Sequence, residues 1–233
     1  MTDLSRRARI AGAIYFSLSF VAPFRLVYLP NVLLSSSDPA KIAANIAAHE
    51  TMFRIGIATD LLAGTVTLFV TLALYRLFED VNRDLARLMV ILGGLMVTPI
   101  YFANTVNDAA ALLLVHRPEL TSAFGTAERN GLIALFVHLH HAGVVANELF
   151  WGLWLLPFGL LVIRSRFVPA FLGYWLIVNG LSYVAICFTG VLRPEFESRL
   201  FNLLTPFIMG EVAIMLWLLV MGARPRAEKP ATG

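Results

Sequence analysis

The chain has 233 residues, of which 58% are apolar and only 14% charged, and its mean hydropathy is +0.76. A soluble domain carries about a quarter charged residues, so this composition excludes a water-soluble enzyme and indicates an integral membrane protein. The net charge of +3 does not point to nucleic acid, because the Lys and Arg residues lie between apolar runs, where they set topology.

A membrane span needs about 20 mostly apolar residues, so the chain has room for about six. The first is predicted over Ile10–Leu29. It follows Arg6, Arg7 and Arg9, as a signal peptide would. It is long for such a segment and lacks a small-residue cleavage site, so it reads as a retained helix. The stretch SSSDPAKIAANIAAHE opens with a helix start, in which Asp38 caps free N–H groups and Pro39 takes the first helical position. Ile42 and Ile46 give it an apolar side, so a short interfacial helix is expected between spans one and two. Span two is predicted over Met52–Leu74, with Gly56, Asp60, Gly64, Thr67 and Thr71 on one face. Span three is predicted over Leu88–Val115. Pro99 should kink it, and Gly94, Thr98, Tyr101, Thr105 and Asp108 share a face, with Asn104 at the margin. Span four covers Ala134–Ile163, span five Phe167–Gly190 and span six Phe201–Met221. Residues 1–222 are thus expected to form one all-α, six-helix transmembrane domain, followed by a disordered tail over 223–233. Cys187 is the lone cysteine, which excludes an intramolecular disulfide and reads as packing.

Arg6, Arg7 and Arg9, then Arg76, Arg83 and Arg87, then Arg164 and Arg166, and finally Arg224, Arg226 and Lys229 all fall on one side of this arrangement. The positive-inside rule puts that side, with both termini, in the cytoplasm. Arg25 and Arg54 fall near the opposite rim, where they either attract an anionic headgroup or snorkel. Glu50 and Arg54 stand at i, i+4 and should form a surface ion pair.

Span four contains ALFVHLHHAGVVANELFWGLWLL, apolar enough to cross a bilayer yet carrying His138, His140, His141, Asn147 and Glu148. Ionisable groups inside a membrane are costly and usually face a bundle interior or a wet cavity, which makes them functional candidates. Helical rise places Asp60, Asp108, His138, His141 and Glu211 in a layer about 10–15 Å below the outer surface, with Glu148 about 10 Å deeper. His138, His141 and Glu148 share one face of span four, and His140 points about 100° away, beside Val144, Asn147 and Trp151. Three readings stay open. His138 and His141 with a neighbouring carboxylate are a ligand set that zinc or iron accepts. His140 or His141 with Glu148, Asp60 and Asp108 can instead do acid/base work without metal, in catalysis or in a proton relay. In the third, these groups only hydrogen-bond across helices and hold the bundle together. Tyr101, Asn104, Trp151 and Glu211 are candidate substrate-binding residues, and the tryptophans otherwise read as packing or interfacial belt. The chain has no Gly-rich phosphate loop, G-x-S-x-G elbow, H-E-x-x-H or paired C-x-x-C.

RIAGAIY at Arg9–Tyr15, FRIGIATDLL at Phe53–Leu62 after His49-Glu50, YRLFEDVNRDLA at Tyr75–Ala86 and NELFWGLWLLPFGLLVIRSRFVPAFLG at Asn147–Gly173 resemble the bacterial membrane family catalogued as domain of unknown function 4386. The resemblance spans nearly the whole chain, and FWGLWLLP is its most specific part. It implies a six-helix protein of a bacterial cytoplasmic membrane and implies no activity. It also implies an acidic residue where Asp60 stands, a histidine at His140 and often a Glu at Glu148, with His138 and His141 less typical.

The preferred reading is a membrane-embedded enzyme doing acid/base or metal-assisted chemistry on a hydrophobic small molecule or lipid. The alternatives are a proton-coupled small-molecule transporter and a non-catalytic membrane module that binds a partner.

Overall fold

The computed structural model describes residues 2–117, 119 and 122–224. Among these, six helices are long and apolar enough to cross a membrane: span one Asp3–Leu33, span two Glu50–Phe78, span three Arg83–His116, span four Thr126–Ser165, span five Ala170–Leu192 and span six Pro194–Met221. A connecting helix, Pro39–Ala48, lies between spans one and two, and no strand occurs among the described residues. Most of the predicted tail, residues 225–233, lies outside them.

The helices start where the caps are, not where hydropathy rises. Asp38 accepts from the Ala40 N–H at 2.9 Å, so the connecting helix begins at the predicted residue. Asn82 accepts from the Leu85 N–H at 2.9 Å, which moves the start of span three from the expected Leu88 back to Arg83. Arg7 pairs with Asp3 at 2.9 Å in the polar first turns of span one. The predicted pair between Glu50 and Arg54 is present, with Arg54 Nε donating at 2.6 Å.

Prolines perturb three spans. Pro99 has no N–H for the Leu95 carbonyl, and the turn before it, Ile91–Met96, is widened to π-helix. Pro30 does the same to the carbonyl of Leu26, within the π-helical turn Phe24–Tyr28. Span six carries Pro206 and is interrupted at Met209. The carbonyls of Phe207 and Ile208 there accept from Trp175 Nε1 at 2.9 Å and Asn179 Nδ2 at 2.8 Å. Trp175 and Asn179 stand one turn apart on span five, so its polar residues complete the broken backbone of its neighbour.

The chain forms two compact units. The first takes Met1–Phe16, Leu68–Met96 and Glu148–Gly233, and the second takes Ser17–Thr67 and Val97–Asn147. Spans one to four each give a segment to both.

In the first unit, aromatic rings pack in series. Tyr15 meets Trp154 edge-on at 5.6 Å, Trp154 stacks on Phe158 at 5.6 Å, and Phe78 links Phe158 at 5.7 Å to Phe167 at 5.4 Å. Spans four and five touch through backbone. A Cβ on Gly152 would lie 2.4 Å from the Gly180 carbonyl oxygen, and one on Gly159 would lie 2.6 Å from that of Gly173. The two contacts are seven residues apart on both helices, so an antiparallel pair presents small residues every second turn, and the helices close on one another. Gly152→Ala is therefore expected to destabilise the protein, by about 1–3 kcal/mol as overpacking does. Gly131→Ala meets nothing within 4 Å and should stabilise it by up to about 1 kcal/mol. Thermal unfolding in neutral detergent checks the opposite signs.

In the second unit, the connecting helix buries Ile42, Ala43 and Ile46 in one apolar core with Leu29, Leu33, Phe53, Ala111, Leu112, Ile133 and Val137. Asn45 Nδ2 donates to the Leu33 carbonyl at 2.9 Å. The amphipathic pattern expected of an interfacial helix thus serves to cover the ends of spans one to four within this unit.

Candidate functional site

The predicted polar faces of spans two and three are the ones that pack. Gly94 is buried, as are Thr98, Tyr101, Thr105 and Asp108, and Thr98 Oγ1 donates to the Gly64 carbonyl at 3.1 Å. Small residues flanking Asp60 on one side and Tyr101 and Thr105 leading to Asp108 on the other bring the two carboxyl groups into the second unit's interior. Asp60 is 1% exposed and Asp108 is fully buried.

Span four is apolar on all sides, and the structure decides which of its histidines faces in. His140 is 2% exposed, whereas His138 and His141 are exposed. His138 Nδ1 sits 2.7 Å from the Ala134 carbonyl of its own helix. His140 lies between the two carboxylates, with Nδ1 3.2 Å from Asp108 Oδ1 and Nε2 3.6 Å from Asp60 Oδ2. Neither ring nitrogen has a hydrogen-bond partner, nor has either oxygen of Asp60.

The fourth member is Arg25, from the π-helical turn of span one. It is 3% exposed, and its Nε and Nη2 donate to Asp108 Oδ2 and Oδ1 at 2.7 and 2.8 Å. This two-pronged pair is the strong form of a charge-assisted bond. The rim position expected for Arg25 is corrected by the span's length: the helix continues past Leu29 and through Pro30 to Leu33, so Arg25 is two turns inside it. A signal was available in the sequence, since a buried carboxylate needs a countercharge and Arg25 is a basic residue within an apolar run.

Asp60, Asp108 and His140 each offer a ligand atom, and these atoms lie within 4.8 Å of one another, so the group can hold a metal ion. The metal-capable group is built on His140, not on the His138 and His141 pair. Arg25 balances Asp108, which leaves Asp60 without a fixed countercharge.

Asn104 is 3% exposed and lies against Gly143, where an added Cβ would be 2.1 Å from its Oδ1. Gly143 is three residues beyond His140, so this close approach of spans three and four also sets the depth of the imidazole. Asn147, on the His140 face, is 1% exposed, and its Oδ1 has no hydrogen-bond partner. A cleft of about 230 Å³ reaches the group between spans one and four, lined by Arg25, Leu26, Pro30, Leu34, Val137, His138, His140, His141 and Val144. His138 and His141 thus form its wall.

The remaining candidates belong to the first unit. Glu148 is 5% exposed with Oε2 unpartnered. Trp151 pairs edge-on with Tyr183 at 5.9 Å. Glu211 accepts from the Tyr15 hydroxyl and also bonds Tyr183, which gives this carboxyl group fixed partners on spans one and five.

No curated protein and no solved structure matches the chain. The family described as "Domain of unknown function (DUF4386)" matches residues 10–222. The expected resemblance therefore holds over nearly every residue of both units, and the chain belongs to that family.

Proposed function

We propose that the protein is a multi-pass enzyme of a bacterial cytoplasmic membrane, with both termini inside, doing acid/base chemistry on a hydrophobic small molecule or lipid. The observation that carries this reading is the imidazole of His140 set between two buried carboxylates at the end of a cleft. Arg25 fixes Asp108, and Asp108 faces Nδ1, so the pair favours the tautomer in which Nδ1 carries the proton and Nε2 is the base. Nε2 takes a proton from the substrate, and Asp60 beside it receives or returns one. The 3.2 and 3.6 Å separations suit a resting site, where such contacts are often long and tighten in the complex.

A metal fits the same residues, since Asp60 presents two unpartnered oxygens. Asp60, His140 and Asp108 would hold it, and zinc or iron accepts such a set. Bound there, it would supply Lewis acidity. Elemental analysis of protein purified without chelator or polyhistidine tag tests this form: near-stoichiometric zinc or iron, lost in Asp60→Asn, would assign the metal to these residues. Absence of metal from the wild type leaves the metal-free form of the mechanism.

The same geometry favours one second reading. Carboxylates on both ring nitrogens make a path for protons, as a proton-coupled carrier needs. Incubation with a hydrophobic metabolite extract, followed by mass spectrometry of products, separates the two. The enzyme should form a new product that His140→Gln does not. A carrier should form none, and in vesicles should move protons with its ligand.

A further inference from the structure

The cleft between spans one and four has a one-sided chemistry. Its polar lining consists of Arg25, His138, His140 and His141, and no carboxylate is among the lining residues. Asp60 and Asp108 stand behind His140, outside the lining. Arg25 spends Nε and Nη2 on Asp108, and a guanidinium has five N–H donors in a fixed fork. It therefore keeps donors for a second anion without releasing the first. His138 has Nδ1 on the Ala134 carbonyl, which leaves Nε2 for the cleft. His140, 2% exposed, closes the inner end of the cleft, with its ring nitrogens turned to Asp108 and Asp60.

Size decides how much of a ligand enters. Pockets that enclose a drug-sized molecule run to about 300–1,000 Å³, and this one has about 230 Å³. It holds a head group and a few carbons, not a lipid. The rest of the ligand must run out over the protein surface. The rest of the cleft wall is apolar on both helices, with Leu26, Pro30, Val137 and Val144, and Val27 next to it on span one is 56% exposed, as a residue that faces acyl chains on a membrane span would be. An anionic head beside the Arg and His groups, with an alkyl tail lying along these residues in the bilayer, satisfies both parts of the surface.

We infer that the substrate of this site is an amphiphile with a carboxylate or phosphate head, which Arg25, His138 and His141 hold against His140. This rests on the acid/base reading above and narrows its substrate class. The acidic head would anchor the molecule, and the proton that His140 handles would belong to a carbon or hydroxyl next to it.

Native mass spectrometry from a neutral detergent at pH 7 tests this by counting adducts with decanoate, decyl phosphate, decanol, acetate and inorganic phosphate. Decanoate and decyl phosphate are expected to bind at least tenfold more tightly than decanol, and the preferred head identifies the source as fatty acid or phospholipid-like. Acetate and inorganic phosphate should bind at least tenfold more weakly than their decyl forms. His138→Ala/His141→Ala changes exposed residues and should weaken both decyl anions tenfold while the melting temperature stays unchanged. Val144→Trp, which fills the cleft, should abolish binding. Decanol bound as tightly as the anions overturns the inference, as does inorganic phosphate bound as tightly as decyl phosphate, or variants that bind like the wild type. Selective anion binding with no product formed in any mixture would sustain the ligand class and sink the enzyme. Turnover of a neutral amphiphile by a chain that binds no decyl anion would do the reverse.

Discussion

Arg25→Ala is expected to lower stability by about 3–5 kcal/mol, the range found when one partner of a buried ion pair is removed. Both members are at most 3% exposed, so the Asp108 carboxylate would be left in an apolar interior with only His140 beside it. A rim arginine that merely snorkelled would lose less than about 1 kcal/mol on the same change. The double variant Arg25→Met/Asp108→Leu removes both charges and fills the space with apolar atoms, so most of the lost stability should return. Thermal unfolding of the two single variants and the double variant in neutral detergent gives the cycle. A single-variant loss below 1 kcal/mol would mean that the pair is not buried in the folded protein. The double variant also separates stability from chemistry. It keeps His140 but deletes the carboxylate that faces Nδ1, so a folded double variant should still be impaired in turnover.

His140→Gln should reduce turnover by about 10²–10⁴-fold, the contribution of a positioned acid or base. Gln keeps hydrogen-bonding capacity between Asp60 and Asp108 but cannot accept and return a proton near neutral pH. The melting temperature should therefore shift little while product formation, read by mass spectrometry, collapses. Asp60→Asn should show a similar pattern, and His138→Ala should leave the chemical step intact and act on substrate binding. If His140→Gln lowers only the melting temperature, the cluster is packing and not machinery, which is the third reading of the sequence.

What could be read from residues was whatever depends on local periodicity and composition. Hydropathy marks six helices, because a bilayer demands long apolar runs whose backbone polar groups are satisfied internally. Asp38 and Pro39 mark a helix start, because capping is local. The buried face of span three, from Gly94 to Asp108, was legible as a stripe of small and polar residues on an apolar rod. The family, too, could be recognised from its segments.

Three features were decided only by tertiary structure. Span four is apolar all round, so its pattern shows that His138 and His141 share a face but not that the His140 face turns inward. That choice depends on Gly143 meeting Asn104 and on two carboxylates from other helices. Arg25 stood at the end of an apolar run, and a helix that continues through Pro30 to Leu33 moves it inside, where Asp108 pairs with it. Helical rise put Glu211 in one layer with Asp60 and Asp108, yet it packs in the first unit, where it accepts from Tyr15. Rise along a helix gives depth but no azimuth, and partners are chosen by azimuth. The sequence by itself determined the helices, their apolar lengths and the residue types available for chemistry. Which of those residues meet was settled by packing, because a buried charge takes the partner that the neighbouring helices bring to it.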